Sequence, residues 1–207
     1  MNTIMAIEFY ILDLETTGTS CGYHEVVEIS IIKADTRQQL SKDIAAIYPE
    51  RSNPTALKIT NKTKYSVTLG ESKDDVVNAC NEFFERDGLT PESRCIVGHN
   101  ILVFDKKFLH DLWAKCGKTF PANLWLDTIP FLKKYMVKNG IESRKTNLEA
   151  ALQMIGAKPR YPLHTAKTDT QNNWVLWRKL MDSDLNYIES IQRHPHLTEE
   201  ESEISNE

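Results

Sequence analysis

Apolar residues first gather in this chain over positions 7–14, where Phe9-Tyr10-Ile11-Leu12 reads as a buried strand closed by the turn Thr16-Thr17-Gly18. Positions 26–34 and 39–48 carry two more strand-length runs, so an antiparallel meander opens the fold. The stretch 49–70 is polar and reads as loop, with one short helical turn at 55–58. Ser72-Lys73-Asp74-Asp75 has the character of a helix start, and Val76, Val77, Cys80, Phe83 and Phe84 follow at helical spacing. Positions 95–98 form a short buried strand, and 104–116 a helix stopped at Gly117. Leu124-Trp125-Leu126 predicts a strand that hands Asp127 to the cap of a helix over 129–138. Helices follow at 147–155, ended by Gly156, at 166–181, and as a satellite at 184–193. Strands first, then alternating helix and strand, predict an α/β domain. Its mixed central sheet, an opening meander plus parallel strands, is flanked by helices.

A chain of 207 residues suits one domain with a real core. The apolar runs are of strand length, so no transmembrane segment and no membrane partner is expected, and residues 1–6 lack the basic start and apolar core of a secretory signal. Cys21, Cys80, Cys95 and Cys116 are isolated, which favours reduced thiols and a cytoplasmic setting over a zinc site or a disulfide framework. Charge is unevenly placed. The net −4 includes five glutamates after residue 194 with no Lys or Arg among them, so the remaining chain carries +1 and nucleic acid stays open as a partner. The division expected is a domain over 1–194 and an acidic, disordered tail over 195–207.

Four carboxylates and a histidine carry the candidate chemistry. Asp13 and Glu15 stand at i and i+2 on the first strand, so both project from one face. Two like charges that close repel unless a cation lies between them. Asp105 opens a helix, and His164 precedes Asp169 by five residues. Hard oxygen donors hold divalent cations, and an imidazole accepts a proton near neutral pH. Each of these residues alone has an ordinary structural explanation, such as a strand end, a helix cap or an exposed acid. Their joint order along the chain makes them a site.

Asp13-Leu14-Glu15-Thr16-Thr17-Gly18, then Gly98-His99-Asn100 with Phe104-Asp105, then His164-Thr-Ala-Lys-Thr-Asp169 resemble the three motifs of the DEDDh (DnaQ-like) exonucleases of the ribonuclease H-like superfamily. The likeness spans residues 7 to about 181. Three residues separate Asn100 from Phe104, a spacing that resembles three-prime repair exonucleases and polymerase-fused proofreading domains. Thr165 stands where the tyrosine variant of the family has Tyr, so the histidine type is the one resembled.

The resemblance implies two Mg²⁺ or Mn²⁺ ions, roughly 4 Å apart, clamping the scissile phosphate. Asp13 is implied as the shared ligand, Glu15 and Asp169 as ligands of the water-bearing ion, Asp105 as support for the second, and His164 as general base. Thr16, Thr17, Gly18, His99 and Asn100 are implied to hold the 3′-terminal nucleotide. Lys58, Lys62, Lys64, Lys106, Lys107, Lys145 and Lys167 are candidate phosphate contacts, and Phe104 is either a stacking ring or core. The activity implied is 3′–5′ removal of nucleoside monophosphates from single-stranded or frayed DNA ends, with a polymerase or replication protein as partner. RNA trimming by the same fold stands as an alternative. So does a catalytically inactive binding module, although all five site residues are present.

Overall fold

The computed structural model describes residues 7–182; the satellite helix and the acidic tail expected from the sequence lie outside them. Five strands form one sheet: β1 (Glu8–Thr16), β2 (Val26–Lys33), β3 (Gln39–Asp43), β4 (Arg94–Gly98) and β5 (Leu124–Asp127), in the order β3-β2-β1-β4-β5. β1–β2 and β2–β3 are antiparallel, whereas β4 and β5 run parallel to β1. The expected mixed sheet is therefore present. Six helices cover it: α1 (Pro54–Ile59), α2 (Lys73–Glu85), α3 (Asp105–Lys115), α4 (Thr128–Lys138), α5 (Leu148–Met154) and α6 (Ala166–Asp182).

The period of two along β1 divides the core into two layers. Tyr10, Leu12 and Leu14 pack with Phe84 of α2 and with Phe108, Leu109 and Trp113 of α3. Phe9 and Ile11 pack with Leu132 of α4, Leu152 of α5 and Leu176 and Trp177 of α6. Helix starts follow their side chains: Ser72 accepts from Asp75 N–H, Asp127 from Ile129 N–H and Asn147 from Ala150 N–H. At the start of β4 lies a buried ion pair. Arg94 grips both oxygens of Asp87 at 2.7 and 2.8 Å, and the Tyr10 hydroxyl donates to Asp87 Oδ2 at 2.8 Å.

Two expectations need correction. The third strand ends at Asp43 rather than running to 48, because the next residues leave β2 for another partner: Ala45 N–H bonds Glu71 O, and Ala46 N–H bonds Val67 O. The stretch 49–70 contains a capped helix and two 3-10 turns. Asn53 Oδ1 accepts from Thr55 and Ala56 N–H, and Pro54 occupies the first turn. Only Leu57 of that helix is buried, so no amphipathic stripe announces it. The four cysteines are free, Cys80 and Cys95 buried and Cys21 and Cys116 half-buried. No helix of the described residues is long and apolar enough to cross a membrane.

Candidate active site

β1 outruns its parallel neighbour. β4 pairs with it only as far as Ile11↔Val97, so residues 12–16 extend past that pairing at the carboxyl ends of the parallel strands, where α/β sheets place their ligands. Since Phe9 and Ile11 face the α4–α6 layer, alternation sends Asp13 and Glu15 the same way. There they meet α6: Asp13, Glu15 and Asp169 bring carboxylate oxygens within 4.8 Å of one another. Asp105, buried at the first position of α3, approaches from the other side, and its carboxylate accepts a hydrogen bond from Leu14 N–H. After burial itself, the Asp105 charge is the largest influence raising Asp13.

All four carboxyls are pushed upward. Burial is the leading cause in each case. Glu15 rises to about 8, with the Glu28 charge next after burial, and Asp105 also reaches about 8. Asp169 Oδ2 accepts from His164 N–H at 2.9 Å, while its buried Oδ1 has no hydrogen-bond partner. A buried carboxylate oxygen without a partner, on a residue clustered with two other carboxylates, is costly without a cation or a proton. This donor set is hard oxygen throughout and fits Mg²⁺ or Mn²⁺.

His164 is exposed and sits at φ 62°, a left-handed conformation that a non-glycine residue holds only when its surroundings impose it. Asn100, at φ 66°, is exposed as well, and Asp127 fixes its loop by accepting from Asn100 N–H and Leu102 N–H. The His99 ring lies between Thr128 Oγ1 at 2.8 Å and Thr146 O at 2.5 Å; both nitrogens are therefore engaged within the protein, and burial lowers its pKa. Thr16, Thr17 and Gly18 are buried and clamped. Thr16 Oγ1 donates to Gly18 O, Thr17 N–H donates to Glu25 O, and the His24 ring covers Gly18 so closely that a Cβ there would lie 2.5 Å from it.

Glu28 escaped the sequence reading. It faces Glu15 across the β1–β2 ladder, forms an ion pair with Lys62, and accepts Ala166 N–H at 2.9 Å, tying the first turn of α6 to the sheet. Its signal was an acidic residue in the interior of a mostly apolar strand. Lys62 is consequently committed to Glu28, whereas Lys58, Lys64, Lys107, Lys145 and Lys167 are exposed. Lys106 lies over the Trp125 ring, and Phe104 is half-buried with its ring 5.1 Å from Phe108.

The mixed sheet with its carboxylate cluster at the end of the first strand matches the ribonuclease H-like exonuclease fold. The chain matches the Exonuclease (RNase_T) family over residues 10–176 and belongs to it, within the DnaQ-like DEDD 3′–5′ exonucleases. It is similar to the DNA polymerase III PolC-type of Pediococcus pentosaceus, 29% identical over 136 residues that cover 62% of this chain and 9% of that protein. To the Listeria welshimeri PolC-type polymerase it is 22% identical, covering 88% of this chain and 12% of that one. The chain thus spans about a tenth of these relatives' length. Escherichia coli exonuclease I, solved with a dT13 oligonucleotide, shares the fold at a TM-score of 0.75 and 15% identity, over 91% of this chain and 44% of that one.

Proposed function

We propose that this domain is a divalent-metal-dependent 3′–5′ exonuclease that releases nucleoside monophosphates from the 3′ end of single-stranded DNA. The observation that carries the proposal is the cluster of Asp13, Glu15 and Asp169, whose carboxylate oxygens lie within 4.8 Å of one another. When bound, two Mg²⁺ or Mn²⁺ ions would activate the attacking water and balance charge on the departing 3′-oxygen. Asp13, which feels the charges of both Glu15 and Asp105, would be the ligand common to the two ions, with Glu15 and Asp169 holding one and Asp105 supporting the other.

His164 takes the proton from the attacking water. His164 is exposed, and its backbone N–H donates to Asp169 Oδ2, which ties the backbone of the base to the ligand. Asn100 offers its exposed side chain to the terminal nucleotide, and the rigid Thr16-Thr17-Gly18 turn bounds the pocket against which the end abuts. The His99 hydrogen bonds brace the floor on which Asn100 stands. Single-stranded DNA as substrate is supported by the fold shared with exonuclease I solved on dT13, and a polymerase partner by the likeness to PolC-type polymerases. The test is side-by-side digestion of 5′-labelled single-stranded DNA and RNA with Mg²⁺, with Mn²⁺ and with EDTA. Metal-dependent shortening of the DNA supports the proposal. Shortening of RNA alone, or undiminished cutting in EDTA, contradicts it.

A further inference from the structure

Across α6 from Asp169 lies a second polar site with no part in the chemistry above. A cavity of about 160 Å³ is lined by Ile32, Arg37, Gln39, Arg160, Gln171 and Trp174, with no carboxylate among these residues. The Arg37 guanidinium lies 3.9 Å over the Trp174 ring, Arg178 approaches the same ring at 5.8 Å, and the indole N–H is anchored on Ala34 O. Arg37 itself is held at φ 62° in the β2–β3 turn. None of these three arginines has a carboxylate within ion-pair distance among the described residues. Asp35, two residues before Arg37, accepts from Thr36 N–H.

The amides between the arginines are already fixed. Gln171 Nε2 donates to Gln39 Oε1 at 2.8 Å; Gln39 Nε2 donates to Ser30 Oγ and to Lys167 O; and Arg160 reaches Gln171 Oε1 at 3.5 Å. Planar guanidiniums held in advance suit the paired oxygens of a phosphate. Water occupies about 30 Å³ in the liquid, so the cavity holds a phosphate group with its waters rather than a whole nucleotide. We infer that Arg37 and Arg160 form an anchor for a backbone phosphate of the substrate strand, upstream of the nucleotide being removed.

The position fits a strand. Gln171 and Trp174 lie on the side of α6 opposite Asp169, roughly a helix diameter of about 10 Å from the carboxylate cluster. Arg160 is also joined to α6 near the site, because its N–H and carbonyl both bond the Asn172 amide, and His164 follows four residues later. A strand with its 3′ end at the carboxylates would reach the arginines within a few nucleotides. A dinucleotide, its single internal phosphate at the point of cleavage, has none left to do so.

This inference rests on the nuclease reading, and the test separates the two. The Arg37→Gln/Arg160→Gln double variant and the wild type are compared on the dinucleotide dT2 and on dT20. The expected result is unchanged turnover of dT2 and an unchanged kcat on dT20, with the KM for dT20 raised roughly 5- to 20-fold. The slope of log affinity for dT20 against log salt should fall by about 1.4, two lost contacts at about 0.7 each. Equal KM values and slopes overturn the anchor, as does an equal loss on dT2, which would place the arginines in the catalytic step. Anisotropy of labelled dT20 in EDTA reads the same affinity change without catalysis, so an inactive wild type would refute the nuclease reading alone. A thermal shift with inorganic phosphate that the variant loses, alongside unaltered dT20 binding, would assign the site to a free anion and overturn the strand reading.

Discussion

Replacing Asp13 with Asn should stabilise the metal-free protein while abolishing its capacity to be stabilised by Mg²⁺. The carboxyls beside Asp13 have folded-state pKa values above their ordinary ones, Glu15 and Asp105 both reaching about 8. The folded chain therefore binds more protons than the unfolded chain between roughly pH 4 and 8, and stability is lost as pH rises through that window. At pH 7 a carboxyl raised from 4.5 to about 8 costs the fold about 3 kcal/mol, at 1.36 kcal/mol per unit over the 2.5 units traversed. The four groups share their repulsion, so the costs overlap rather than add. Making the central member neutral should recover about 2 kcal/mol at pH 8, which is a rise in Tm of roughly 4–8 °C for a domain of this size. At pH 5 the cluster is mostly protonated and the gain should shrink below about 1 kcal/mol. Thermal melts in EDTA at the two pH values measure this directly. A gain of equal size at both, or none at pH 8, would refute the electrostatic account of the cluster.

Three further outcomes follow from particular contacts. His164→Ala should retain stabilisation by Mg²⁺ yet cleave roughly 10²–10⁴-fold more slowly, with the wild-type rise of rate with pH flattened; single-turnover rates across pH check both. Arg94→Met leaves Asp87 buried without its guanidinium and should lower stability by about 3–5 kcal/mol in urea titration. Gly18→Ala drives a Cβ to 2.5 Å from the His24 ring and should cost about 1–3 kcal/mol, read by the same titration, with slower cleavage as the motif turn shifts.

Those features of the fold that repeat along the chain were legible in the sequence. Alternation in β1, the spacing of Val76, Cys80 and Phe84, and caps such as Asn147 and Asp127 each rest on a local period or a local hydrogen bond. The end of β3 was not legible, because it depends on Glu71 and Val67 competing for the backbone of Ala45 and Ala46, a choice made by residues more than twenty positions away. Helix α1 was reduced to a turn because its only buried residue is Leu57.

At the site, Asp13, Glu15 and Asp169 could be read because strand alternation and motif order place them, and the fold does bring them together. The bonds of His99 to Thr128 and Thr146 could not be read, since they join the loop after β4 to the start of α4 and the loop before α5, which meet only in the folded chain. Glu28 looked like one polar position in an apolar strand. Its opposition to Glu15 emerges only from the β1–β2 register, which a bulge shifts immediately afterwards.

The central claim is that the carboxylate cluster removes nucleotides one at a time from a free 3′ end. The most direct measurement is a Mg²⁺ time course on a 5′-labelled single-stranded DNA, run beside the same strand carrying a 3′-phosphate. The account predicts a ladder that shortens by single nucleotides from the free 3′ end and stalls on the blocked one. Equal digestion of both strands, or cutting of a covalently closed single-stranded circle, would contradict it.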